Sequence, residues 1–106
     1  MGQKVRAVDD ASYQTVVSDS SDPVMVCFCS SDEEVSDSWL HEVETTSEGR
    51  LTVVRGLLSD TPRSAMQNGV VMTPAYMIFS GGAKRAVAVG HLGPEDLKRF
   101  VERALG

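Results

Sequence analysis

Two thiols, Cys27 and Cys29, stand two positions apart in the apolar run VMVCFC. Alternation along a strand puts both on one face. Two residues is an awkward separation for a disulfide unless the strand distorts. The acids that follow, Asp32, Glu33 and Glu34, raise a thiol pKa if they lie close in space. Both cysteines therefore read first as small buried hydrophobes. The sharper reading makes Cys29, near the strand end, a redox-sensitive thiol with Cys27 as its resolving partner. His41 and His91 share no metal-ligand spacing with the C-x-C pair, so neither a metal site nor a bound cofactor is expected. Trp39 is expected in the core, and Met25, Met66, Met72 and Met77 read as packing residues, Met72 lying beside Thr73-Pro74.

These residues are positioned by one stretch, residues 24–40, an apolar strand that passes through a polar bend into an amphipathic helix. The strand has no charge, which suits burial on both faces. Val35, Trp39, Leu40 and Val43 fall at i, i+4, i+5 and i+8, so the spacing predicts a helix from about Val35. Ser31 followed by Glu34 reads as a capping box, with the acids of the bend at the positive end of the helix dipole. A strand entering a helix in this way places the bend, residues 30–36, at the carboxyl edge of a sheet.

The rest of the chain supplies the layers. Residues 4–8 alternate as a first strand, and Asp9 and Asp10 offer N-cap oxygens to a helix carrying Tyr13, Val16 and Val17. SDSSDP at 18–23 is a turn cluster, and Gly49 marks a helix end. LTVVRGLL at 51–58 is another mostly buried strand, after which Thr61 caps and Pro62 begins a short helix ended by Gly69. Residues 75–79 and 84–89 form a hairpin around Ser80-Gly81-Gly82. Gly93-Pro94 opens a final helix whose stripe is Leu97, Phe100, Val101, Ala104 and Leu105. The predicted order is βαβαβαββα in one domain spanning residues 1–106.

At 106 residues the chain suffices for one core, and 42% apolar and 24% charged residues are those of an ordinary globule. A net charge of −5 with no basic block argues against nucleic acid and anionic membranes as partners. No apolar run is long enough for a bilayer span, and the first residues resemble neither a secretory signal nor a myristoylation site. With only two cysteines a disulfide framework is excluded, and a cytoplasmic location is the expectation.

The order of elements, with Thr73-Pro74 ahead of a hairpin and a terminal helix, resembles the thioredoxin-like family over essentially the whole chain. VMVCFC is similar to its central strand and LTVVRG to the strand that follows. Pro62, Ala65, Gly69 and Pro74 recur at the family's spacing from LTVVRG. Phe79-Ser80-Gly81-Gly82 and Val89-Gly90 resemble its closing hairpin. The resemblance implies an α/β fold with a central mixed five-stranded sheet flanked by four helices. It also implies that Pro74 is the family's cis-proline.

On the same resemblance the W-C-G-P-C motif falls on Asp32, Glu33, Glu34, Val35 and Ser36. Glu33 then stands for the attacking cysteine and Ser36 for the resolving one, and neither can exchange disulfides. The family's buried Asp, its Lys neighbour and the Trp ahead of the motif match Cys27, Arg55 and Cys29. The implied function is a redox-inactive module that binds an extended segment of a client protein by β-augmentation along Met72, Thr73, Pro74, Gly90 and His91. Cysteine-less thioredoxin-like chaperones of hydrogenase maturation offer an analogy at the level of fold. The alternative is a specialised thiol-disulfide oxidoreductase using Cys29 and Cys27.

Overall fold

The computed structural model describes residues 5–106; Lys4, placed by sequence in the first strand, lies outside the described residues, as does the segment before it. The elements are β1 (Arg6–Val8), α1 (Asp10–Tyr13), β2 (Val24–Cys29), α2 (Asp37–Thr46), β3 (Thr52–Leu57), α3 (Pro62–Gln67), β4 (Ala75–Ser80), β5 (Ala83–Val89) and α4 (Pro94–Leu105). A π-helical turn, Gln14–Ser18, continues α1. The five strands make one mixed sheet in the order β1-β3-β2-β4-β5. β1 and β2 run parallel to β3, whereas β4 is antiparallel to both β2 and β5. This is the α/β order and sheet that the resemblance implied.

Central position explains the composition of β2. It pairs with β3 on one side and β4 on the other, and all six of its side chains are buried. Met25, Cys27 and Cys29 face a core with Leu40 and Val43 of α2 and Leu97 and Val101 of α4. Val24, Val26 and Phe28 face the opposite core, with Tyr13, Val17 and Ala65 from the α1 and α3 side. Burial of each large apolar side chain contributes roughly 1.5–3 kcal/mol, so this strand anchors both layers.

Helix starts depart from the sequence reading in two places. α2 begins at Asp37 rather than near Val35, with Ser36 as N-cap accepting from Ser38 N. Residues 31–35 form a turn instead, closed by Glu34 N donating to Ser31 O at 3.2 Å. The expected Ser31–Glu34 capping box is absent because the Glu34 carboxylate accepts from the amide and hydroxyl of Ser30, which holds the chain in a bend. Trp39, expected in the core, lies at the rim of the stripe that buries Leu40 and Val43 and is 40% exposed. In α3 the Thr61 hydroxyl donates back to Leu57 O, and the Asp10 carboxylate takes the amides of Arg63 and Ser64. The cap thus comes from another helix, which ties α1 to α3. Met66 (76%) and Met72 (61%) are exposed rather than packed, whereas Met25 and Met77 are core.

The β4–β5 hairpin seats against the end of the first helical layer. Gly81 and Gly82 both have positive φ, and a Cβ added at Gly82 would lie 2.7 Å from the carbonyl oxygen of Ser18, whereas one at Gly81 meets open space. Gly82→Ala is expected to destabilise the fold by about 2–4 kcal/mol and Gly81→Ala by only about 1 kcal/mol. Urea unfolding midpoints check the difference. Equal losses would show that the Ser18 contact does not limit the turn.

Candidate functional site

The carboxyl edge of the sheet brings together the end of β2, the bend at 30–36, the loop before β4 and the turn after β5. Register explains the first juxtaposition. Cys27 and Cys29 pair with Arg55 and Leu57 of β3 and face the same side of the sheet. Their sulfurs are 3.6 Å apart, and both are free thiols with no exposed surface.

Arg55 organises this region. Its side chain, only 4% exposed, donates Nη1–H to Cys29 Sγ at 3.2 Å and Nη2–H to Val35 O at 2.6 Å. Nη2 and Nε also converge on Asp37 Oδ1, at 2.7 and 3.2 Å. One guanidinium therefore joins β3 to the tip of β2, to the bend and to the first residue of α2. Burial opposes its charge, but the Asp37 hydrogen bond and the nearby acidic groups outweigh that and hold the guanidinium protonated.

The two thiols are pushed apart in acidity. The hydrogen bond from Cys27 favours the Cys29 thiolate, and the Arg55 charge adds to it, so the Cys29 thiol lies below its ordinary value despite burial. The Cys27 thiol is raised by the same hydrogen bond, by burial and by the charge of its neighbour. Cys29 is thus the more acidic sulfur and Cys27 keeps its proton. Of the acids expected to raise these thiols if close, Glu34 does raise both, but the sulfur–sulfur hydrogen bond and Arg55 carry greater weight at Cys29. Tyr76, across from Cys27 on β4, is pushed up to about 12 by burial.

A second cluster lies above the first. Glu34 Oε1 accepts from Ser30 N at 2.7 Å and Ser30 Oγ at 3.1 Å, while Oε2 accepts from Thr73 Oγ1 at 3.1 Å. Partial burial opposes ionisation, yet these hydrogen bonds hold the carboxyl below the usual range. The Thr73-Pro74 peptide is cis, and Pro74 O accepts from Gly90 N at 2.9 Å. Glu34, Thr73, Pro74 and Gly90 are therefore linked in one network, in which Pro74 itself is buried.

Asp32 and Glu33 project from the bend as exposed residues, Val35 turns inward and Ser36 caps α2. Val71 is 91% exposed beside Met72. His41 sits on α2, apart from the thiols in sequence and element, and among the described residues no group of three or more His, Cys, Asp or Glu side chains could hold a metal ion. Asp37 was missed by sequence reasoning. The signal for it was indirect: a single Arg in the apolar run LTVVRGLL requires an acid or several acceptors if it is buried.

Replacing Asp37 tests how charge is shared in this cluster. Asp37→Asn leaves Arg55 buried with weaker compensation and is expected to cost about 1–3 kcal/mol of stability. It also makes a Cys29 thiolate the main counter-charge to Arg55, so the midpoint for thiol ionisation moves down. Ultraviolet thiolate absorbance against pH, with chemical unfolding alongside, checks both. An unchanged midpoint would show that Arg55 does not control the sulfur.

No family model matches the chain. It is 31% identical over 102 residues to thioredoxin 1 of Nostoc sp., covering 92% of this chain and 94% of the relative. A thioredoxin of Synechocystis sp. is 32% identical with the same coverage, and the chloroplastic M-type thioredoxin of Chlamydomonas reinhardtii is 28% identical over 93% of this chain and 73% of its own length. With identity above 30% over nearly the full length of two thioredoxins, and with the α/β order and mixed five-stranded sheet described above, the chain belongs to the thioredoxin-like family.

Proposed function

We propose that this chain is a redox-inactive thioredoxin-like module that holds an extended segment of a client protein along the Thr73-Pro74 edge. The observation that carries the reading is the exposure of Val71 and Met72 beside a Thr73 whose main-chain N–H and C=O take no hydrogen-bond partner among the described residues. An extended peptide satisfies such groups by β-augmentation, and neighbouring apolar side chains supply contact area. Val71, Met72 and Thr73 precede β4, in the loop that leads into it. The surface of the adjoining bend is carboxylate and hydroxyl, from Asp32, Glu33 and Ser36, where a family member with W-C-G-P-C carries its cysteines. A client segment that combines apolar side chains with Lys or Arg complements it.

A short extended peptide alternating Val and Lys is a suitable probe. On titration, the amide signals of residues 72–75 and of Gly90 and His91 are expected to shift, and Val71→Asp/Met72→Asp to weaken binding by roughly tenfold, about 1.4 kcal/mol. Shifts that avoid both 72–75 and the bend at 30–36 would end this reading.

Thiol chemistry is the second reading, favoured by the 3.6 Å sulfur separation and by the Arg55 contact that acidifies Cys29. In it, the Cys29 thiolate attacks a substrate disulfide and releases one substrate thiol. Cys27 then gives up its proton and attacks Cys29, which releases the second thiol and leaves a Cys27–Cys29 disulfide. Both sulfurs lie beneath the surface, so a bulky disulfide reaches neither without opening of the bend. Insulin reduction driven by dithiothreitol separates the readings. The binding module predicts equal rates for the wild type and Cys27→Ser/Cys29→Ser, whereas a clear loss in the double variant favours the thiol route.

A further inference from the structure

The sheet has a second open edge, at β5, and its surroundings differ in charge from the rest of the protein. β5 pairs only with β4, so its outer N–H and C=O groups face away from the sheet. A register shift at Ile78/Phe79 separates Lys84, opposite Phe79, from Ala86, opposite Ile78. Bulges and basic residues at an edge block pairing locally, and here they guard only the beginning of the strand. Beyond them Ala86 and Ala88 turn toward the α4 core, while Val87 and Val89 remain half-exposed on the other face.

The charge pattern is uneven. Residues 83–106 carry five of the ten basic side chains but only three of the fifteen acidic ones. A groove between β5 and α4 is lined by Ala88, Leu92, Phe100, Arg99 and Arg103, with Asp96 paired to Arg99 at 3.1 Å. Lys84 donates to Asn68 O at 3.1 Å, and Lys98 pairs with Glu42 and Glu95. Among the described residues Arg85 and Arg103 make no ion pair. A strand laid beside β5 would place alternate side chains against Val87 and Val89 on one face and toward Leu92, Phe100, Arg99 and Arg103 on the other.

We propose that the β5 edge is a second docking site, distinct from the Thr73-Pro74 edge, for an extended protein segment that alternates apolar and acidic residues. The backbone ladder supplies attachment, Val87 and Val89 the apolar contact, and Arg99, Arg103 and Arg85 the charge selection. A second copy of this chain fits poorly, because β5 paired with β5 sets one basic surface against another. Nucleic acid fits poorly too, since the molecule as a whole carries a charge of −5 and repels phosphate.

The test uses the full chain and a short peptide alternating Glu and Val, with the Lys and Val peptide as comparator, at low and at physiological salt. The acidic peptide is expected to shift the amides of residues 84–89 and to leave 72–73 unmoved. Its affinity falls as salt rises, and Arg99→Glu/Arg103→Glu weakens it by at least roughly tenfold while far-ultraviolet circular dichroism stays unchanged. Val87→Lys, on the apolar face, weakens it as well. Equal binding of both peptides at β5, or an affinity insensitive to the charge reversal, would overturn the proposal. So would β5 shifts that grow with protein concentration before any peptide is added, or preferential shifts with single-stranded DNA.

Discussion

The buried guanidinium of Arg55 is the constraint on which the functional end of this protein depends. Its charge is removed from water at the point where β2, β3 and α2 converge, and each of its contacts fixes a different piece of chain. A buried ion pair is a weak source of net stability, since desolvation offsets much of the Coulombic gain. Its effect here is positional. With Asp37 at the start of α2 and Val35 O in the bend both bound to one rigid fork, the helix cannot begin earlier without breaking the set. Partial exposure of Asp37 lowers the cost, because the acid retains some water while the arginine does not.

That same fork determines what the cysteines are. A thiol beside a carboxylate-rich bend would ordinarily be held protonated, but Arg55 lies nearer to Cys29 than any carboxylate named in its contacts. The pair is therefore polarised without being accessible, Cys29 toward thiolate and Cys27 toward thiol. Acidity and exposure have been separated, whereas a thiol that attacks external disulfides needs both. Glu34 acts one layer above, joining Ser30 to Thr73 and so linking the bend to the loop that precedes β4. The lower cluster fixes the bend to the sheet and the upper cluster fixes it to the neighbouring edge.

The layers and the sheet were legible in the sequence because they rest on periodicity. The charge-free β2, the stripe of α4 and the Gly-Gly hairpin each follow from local pattern. The start of α2 was not legible, since Ser31 and Ser36 are both competent caps and Val35 continues the apolar stripe. The choice between them is made by Arg55, nearly twenty residues further along, through Val35 O and Asp37. Thr61 failed as a cap for a similar reason, displaced by Asp10 from a distant part of the chain. Trp39, Met66 and Met72 show the limit of hydrophobicity as a guide: a stripe indicates one face of a helix but not how far its rim is covered. Of the site, the bend followed from the strand-to-helix pattern and Thr73-Pro74 from resemblance, and the guanidinium that orders them was identified only as a match to a family lysine.

The late start of α2 bears on chemistry as well as on shape. A helix N-terminus stabilises an anion through its unpaired N–H groups, and the effect falls off within the first turn. Here Ser36 Oγ takes Ser38 N, and Glu33 lies in a turn ahead of the helix rather than within it. A group at position 33 is held by the bend and faces solvent, where its charge is screened. The bend thus lacks thiols and also lacks the field that would sharpen one. What remains at this end of the sheet is a surface of carboxylates and hydroxyls beside exposed Val71, Met72 and the main chain of Thr73. On the reading proposed above, such a surface would select a partner by charge and extended shape, properties that need neither sulfur nor a cofactor.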